Sequence, residues 1–159
     1  MTTRRAAVPA LLAASVVGAV ASMGSPRLTL LNADLHIAYP WTRGVAALAC
    51  AAAAAGLALT VRMRWARVAA GAFAVAAALA GAHLLRYRVR AGADGIESRG
   101  LLGVDRLAWS AIGQVQTGPG LLLLTGSGGE SVRVDTTDFR AEDRAALDRT
   151  IARRLRGGP

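Results

Sequence analysis

Three apolar segments without a charged residue, 6–24, 44–61 and 68–85, constrain this chain more than any other feature. At about 1.5 Å rise per residue, eighteen or nineteen residues reach about 27 Å, just enough to cross a hydrocarbon core. The spacing predicts three transmembrane helices and makes residues 1–86 a membrane anchor. Arg4 and Arg5 precede the first segment and an AVAS stretch ends it, so a cleaved signal peptide competes with a retained helix there. Pro9 falls early and no mature soluble domain follows directly, which favours retention. Only residues 62–67 separate the second and third segments, a connection short enough to predict an antiparallel helix hairpin. In it Ala47, Ala51 and Ala55 would face Ala70, Ala74 and Ala78 in small-residue packing. Alanine is so abundant here that this spacing does not by itself specify an interface.

Charge is distributed as an anchor requires. Residues 1–86 hold eight arginines against one acid, Asp34, a net +7, and residues 87–159 hold eleven against nine, a net +2. The basic balance therefore belongs mainly to the flanks of apolar segments and not to a groove for nucleic acid, which is excluded as a partner. With three spans, arginines 4, 5, 62, 64 and 67 lie on one side of the membrane and 27, 43, 86, 88 and 90 on the other. The positive-inside count is tied. Cys50 is the only cysteine, so one chain can build neither a disulfide nor a CxxC metal site. Residues 25–43, with Asn32, Asp34, His36, Tyr39, Pro40 and Trp41, read as an interfacial loop whose aromatic rings sit at headgroup depth. An Asp-x-His pair supplies too few ligands for a metal site, and His83 reads as an interface residue.

After residue 86 the pattern changes from helical to strand-like. Tyr87, Val89 and Ala91 alternate with Arg88 and Arg90, and with Arg86 before them, so the arginines share one face of a strand. Glycine-bearing connections at 92–95, 100–105, 118–120 and 126–129 divide the stretch 93–139 into short strands. A strand, not a helix, follows Gly129, which argues against a phosphate-cradling loop. Leu107, Trp109, Ile112 and Val115 are inward candidates, with Trp109 as a core anchor. Residues 139–156 form an amphipathic helix with Asp138 as N-cap, Glu142 and Asp143 in its first turn, and Arg153, Arg154 and Arg156 at its end. Leu147, Ile151 and Leu155 make its apolar stripe.

The order of these pieces carries a resemblance. The Asp94-Gly-Ile96 turn into a strand, the Trp109-Ser-Ala-Ile112 stretch, the leucines at 121–124, the glycine hairpin at 126–129 and Asp138-Phe139 before a closing helix resemble the bacterial pleckstrin-homology (PH)-like domains, in particular the YcxB-like membrane proteins. The resemblance covers residues 87–156. It implies an α+β membrane protein: three transmembrane helices, then a small antiparallel β-sheet of PH-like type at 87–159, an incomplete barrel capped by the C-terminal helix. Residues 87–156 are short for a seven-stranded barrel, and three helices precede them where the family pattern has two. The resemblance also implies a bacterial inner-membrane, multi-pass protein whose C-terminal domain is cytoplasmic.

No catalytic constellation is visible. The β domain lacks histidine and cysteine, and Ser98, Ser110, Ser127 and Ser131 lack the GxSxG context of a nucleophile. A membrane-embedded enzyme would have to use Asp34, His36 and His83. The chain reads as non-enzymatic, with no catalytic residue, metal or cofactor expected. Arg86, Arg88 and Arg90, directly after the third apolar segment, are the candidate lipid-binding residues, and membrane lipids are the expected partners. The expected role is binding or scaffolding at the membrane. The alternative is an accessory subunit of a transport or secretion assembly, contacting a membrane protein or a second copy through the alanine-rich helices.

Overall fold

The computed structural model describes residues 3–31 and 34–157, with side chains from residue 7 onward. Asn32 and the side chains of Arg4 and Arg5 lie outside the described residues. In chain order the elements are α1 (Thr3–Ser22), β1 (Arg27–Leu31), β2 (Asp34–Ala38), α2 (Trp41–Thr60), α3 (Arg64–Arg86), β3 (Arg88–Ala91), β4 (Gly95–Arg99), β5 (Val104–Ala108), a 3-10 turn (Trp109–Ala111), β6 (Ile112–Gly118), β7 (Leu121–Gly126), β8 (Ser131–Asp135) and α4 (Ala141–Leu155). They form two compact units, one of α1 to α3 and one of the strands with α4.

In the helical unit α2 takes α1 as its main partner. The Cys50 thiol donates to the Ser15 carbonyl at 3.1 Å. A Cβ on Gly18 would lie 2.8 Å from the Cys50 Cβ, and one on Gly56 would meet Leu11 at 3.4 Å, so the two helices run antiparallel with their backbones close. α2 and α3 meet where Gly44 and Gly81 admit the Leu85 and Leu48 side chains. Elsewhere α3 leaves Val68, Phe73, Val75 and Leu79 exposed. The expected alanine ladder is thus not the interface: Ala47 and Ala51 are buried, Ala55 is exposed, and Ala70, Ala74 and Ala78 are half-buried. Alanine fixes no register, so the glycines decide where helices approach.

The expectation of three spans is also corrected. Among the described residues two helices, α2 and α3, are long and apolar enough to cross a membrane, while the apolar part of α1, Ala7–Ser22, is shorter.

The β unit contains a five-stranded antiparallel sheet in the order β1-β2-β3-β4-β5 and a three-stranded antiparallel sheet in the order β6-β7-β8. The two do not join into one closed barrel. Residues read as an interfacial loop here form the β1–β2 hairpin, which adds to β3 through the register Leu35↔Ala91 and Ile37↔Val89. The physical reason lies in the alternation of Leu35, His36 and Ile37. A strand with two large aliphatics on one face must bury them, and the free edge of β3 offers a sheet to continue.

One core joins both sheets and α4. Leu35, Ile37, Val89, Ala91, Ile96 and Leu107 line the inner face of the larger sheet against Leu122, Leu124, Val132 and Val134 of the smaller. Polar ties fix the crossing. The Ser98 hydroxyl donates to the Arg133 carbonyl at 2.9 Å and the Tyr87 hydroxyl to the Asp135 carbonyl at 2.7 Å. Trp109 packs on this core and donates its indole N–H to the Gly92 carbonyl at 2.9 Å. Val115 pairs with the buried Leu124, yet it remains 37% exposed because β6 is an edge strand of the smaller sheet with no further strand to cover it.

The closing helix is shorter and differently capped than its sequence predicts. Leu147 and Ile151 are buried, worth roughly 3–6 kcal/mol gross, whereas Leu155 is 41% exposed. Arg140 occupies the N-cap position without a side-chain cap. The Asp138 carboxylate instead accepts the Tyr39 hydroxyl at 2.8 Å, and the Tyr39 ring packs on Tyr87 with centroids 5.6 Å apart.

Candidate functional site

The outer face of the five-stranded sheet is built in rows that the strand register dictates. At one end Arg27, Ala38, Arg88, Arg99 and Val104 stand side by side across the five strands. The next outward row, about 7 Å further along the strands, is Thr29, His36, Arg90, Glu97 and Arg106. Beyond it, Asp34 shares the outer face with Gly95 and Ala108.

The two arginine-bearing rows differ electrostatically. In the second, Arg90 donates Nε and Nη2 to Asp34 Oδ2 at 3.0 and 2.7 Å, and Arg106 Nε lies 2.9 Å from Glu97 Oε2. The Arg90 guanidinium, hydrogen-bonded to Asp34, holds that carboxyl below the ordinary carboxylate range. In the first row the only ion pair among the described residues is Arg99 with Glu97, at 3.7 Å. Arg27 and Arg88 have no acidic partner among the described residues and are exposed. The sheet thus carries a cationic rim at one end and a neutralised band beside it.

The candidate residues separate accordingly. Arg86, Arg88 and Arg90 are all exposed, as the alternation predicts. Arg86 is the last residue of α3, and its guanidinium reaches the Leu101 carbonyl at 3.4 Å. Arg88 stands on the rim, and Arg90 is engaged by Asp34. Sequence reasoning missed Arg27 and Arg99, which flank Arg88 across the sheet. Only strand pairing brings them together, and local alternation carries no trace of it.

The rim has one further property. The chain reaches or leaves the helices from this end of the sheet at all three junctions: before Arg27, after Ala38 and before Arg88. The β4–β5 loop, 100–103, turns at the same end, because Arg99 and Val104 pair there.

Asp34 and His36, read as too few for a metal site, sit on β2 with the Asp34 carboxylate held by Arg90. Among the described residues no three His, Cys, Asp or Glu side chains converge on a common point. An open pocket of about 370 Å³ lies over the β3–β4 turn, lined by Arg90, Gly92, Asp94, Glu97 and Arg106. Its two arginines are those already paired with acids, so it offers no unpaired cation.

Comparison with known proteins matches residues 86–156 to the family model of the bacterial PH domain. No curated protein and no solved structure matches the chain. The matched residues contain β3 to β8 and α4, while β1 and β2, which complete the larger sheet, lie before them. Two sheets facing each other across one core, with a C-terminal helix packed against them, are the architecture that the matched sequence builds, and residues 86–156 of this chain are a bacterial PH-like domain.

Proposed function

We propose that this chain is a membrane-anchored PH-like binding module whose arginine rim engages anionic lipid headgroups. The observation that carries this reading is the contrast between the rows: Arg27 and Arg88 are exposed with no acid paired to them among the described residues, while Arg90 and Arg106 are neutralised. An arginine near an anionic surface contributes about 1 kcal/mol, so Arg27 and Arg88 together are a meaningful bias for a domain already tethered. Anchoring is supported by the helices. Only 28% of the apolar window of α2 and 6% of that of α3 is buried within the protein, too little for core helices of a soluble fold.

The pairing of β2 with β3 supports one topological statement. Residues 38 and 88 share a sheet, so both ends of the α2–α3 segment lie on one side, and the two helices cross a membrane together or not at all. We place that side in the cytoplasm of a bacterial cell, with the anchor in the inner membrane, on the resemblance to YcxB-like proteins. Reporter fusions after residues 43, 64 and 159 test it: signals at 43 and 159 should agree and oppose that at 64, and a periplasmic signal at 159 would sink the placement. On this reading the protein binds and does not catalyse.

Lipid preference is measured on the full chain by native mass spectrometry after reconstitution into equal phosphatidylglycerol and phosphatidylcholine. Phosphatidylglycerol should be retained several-fold over phosphatidylcholine, and Arg27→Gln with Arg88→Gln should abolish the bias. Equal retention of both lipids by the unaltered chain refutes the reading.

A further inference from the structure

We infer that the β4–β5 loop, 100–103, is an apolar wedge that inserts into the bilayer interface beside the arginine rim. This rests on the reading of the chain as membrane-anchored and adds a second, charge-independent contact to it. Leu102 is 99% exposed, the most exposed large apolar side chain among the described residues, and Val104 beside it is 44% exposed. The loop is not a slack connection. The Gly100 N–H donates to the Gly103 carbonyl at 3.0 Å, closing a tight turn that presents Leu102 at its tip. Open space surrounds both glycines, and the near-complete exposure of Leu102 means that none of the described residues covers the tip. The Arg86 guanidinium fastens the Leu101 carbonyl at 3.4 Å, which ties the loop to the residue that ends α3.

The choice of a lipid surface as occupant follows from what surrounds the loop. It turns at the end of the sheet from which the chain runs into α1, α2 and α3, and it stands next to Arg88 and Arg99 on the rim row. A leucine at a tip with arginines behind it matches a bilayer boundary, where acyl chains begin below charged headgroups. The apolar area is also too small for a protein partner. Stable interfaces bury about 1,200–2,000 Å², which one leucine pair and a valine cannot approach. A tethered domain needs no such area, since the anchor already holds it at the surface.

The test uses the full chain in nanodiscs, with Cys50→Ser to remove the native thiol; serine can still donate to the Ser15 carbonyl. An environment-sensitive thiol probe is attached at Leu102→Cys, or at Ser127→Cys in the β7–β8 turn as a solvent reference. At residue 102 the probe should emit to the blue of the reference, be quenched by lipid-borne nitroxide, and resist iodide at least several-fold better. This should hold in phosphatidylcholine alone as well as with phosphatidylglycerol. Equal iodide access at 102 and 127 overturns the wedge, and so does shielding at 102 without nitroxide quenching, which means a second copy covers the loop. Failure of the headgroup reading is separable: lipid retention then shows no anionic bias while the probe at 102 stays shielded. If the wedge alone fails, the bias persists with the probe exposed.

Discussion

Arg90 holds Asp34 Oδ2 with two guanidinium nitrogens, Nε at 3.0 Å and Nη2 at 2.7 Å, and so ties a hairpin that precedes α2 to the first strand that follows α3. The pair sits on the outer face, over Gly92, where a Cβ would come within 3.2 Å of the carboxylate. Asp34→Asn keeps the shape and removes the charge, so it should loosen the hairpin locally without unfolding the core. Hydrogen exchange of the full chain is expected to accelerate several-fold in β2, with β7 unchanged. Equal acceleration in both strands would show that the pair holds the whole unit.

The same pair sets a pH response. The Asp34 pKa is lowered in the folded state, chiefly by the Arg90 hydrogen bond. Its contribution is therefore complete above the ordinary carboxylate range and drains away as pH falls through the lowered folded value. Protection of β2 should be flat from pH 7 to about 5 and decline only in stronger acid. In Asp34→Asn that acid-dependent decline should be much reduced. A loss of β2 protection between pH 7 and 6 would mean that some other group controls the hairpin.

Tyr87 predicts the alkaline limb. Its ring is 4% exposed and its hydroxyl donates to the Asp135 carbonyl at 2.7 Å; burial first, then the Asp135 charge, pushes its pKa well above the usual tyrosine value. A raised folded pKa means that the unfolded chain ionises first, so stability falls as pH climbs past about 10. Tyr87→Phe should flatten that fall and cost about 1 kcal/mol at neutral pH through the lost hydrogen bond. Thermal unfolding at pH 7 and pH 10.5 checks both signs.

Gly95 tests the geometry of the β3–β4 turn. A Cβ there would drive into the Leu107 carbonyl and lie 3.0 Å from the Ala108 Cα, both backbone atoms of a paired strand that cannot swing aside. Gly95→Ala should destabilise by about 1–3 kcal/mol. Gly100→Ala, in open space, should be close to neutral. Parallel urea titrations of the two variants compare them, and equal midpoints would refute the packing argument.

How much of this was legible in the sequence varies with how local the determining interaction is. The Tyr87–Ala91 alternation and the glycine turns depend on neighbours a few residues apart, and the structure keeps them. Leu35 and Ile37 show the same alternation, but their partner strand is about fifty residues away beyond two apolar helices, and nothing local tells a strand from an interfacial loop. The N-cap was missed for a similar reason. Tyr39 takes the Asp138 carboxylate from ninety-nine residues upstream, a competition that a cap rule does not see. In the site, the exposure of Arg88 was readable, while the sparing of its charge depends on Asp34 reaching Arg90 and not Arg88. Arg27 and Arg99 join it only through register.

The hairpin lies outside the residues that match the PH family model, so its place in the core makes the sharpest prediction. Ile37 is 1% exposed against Val89, as buried as Ile96 in the matched domain. If β1 and β2 are an integral part of this sheet, Ile37→Ala and Ile96→Ala should each cost about 2–5 kcal/mol and lower one shared unfolding transition. If the hairpin merely rests on β3, Ile37→Ala should raise exchange in β2 alone and leave the transition of the remaining strands in place. The first outcome is expected, because Leu35, Ile37, Val89, Ala91 and Ile96 belong to one continuous buried cluster. It carries a corollary for the segment 86–156 expressed by itself. That segment would expose the edge of β3 and the faces of Val89 and Ala91 that Ile37 and Leu35 cover. It should therefore associate or unfold more readily than the full chain.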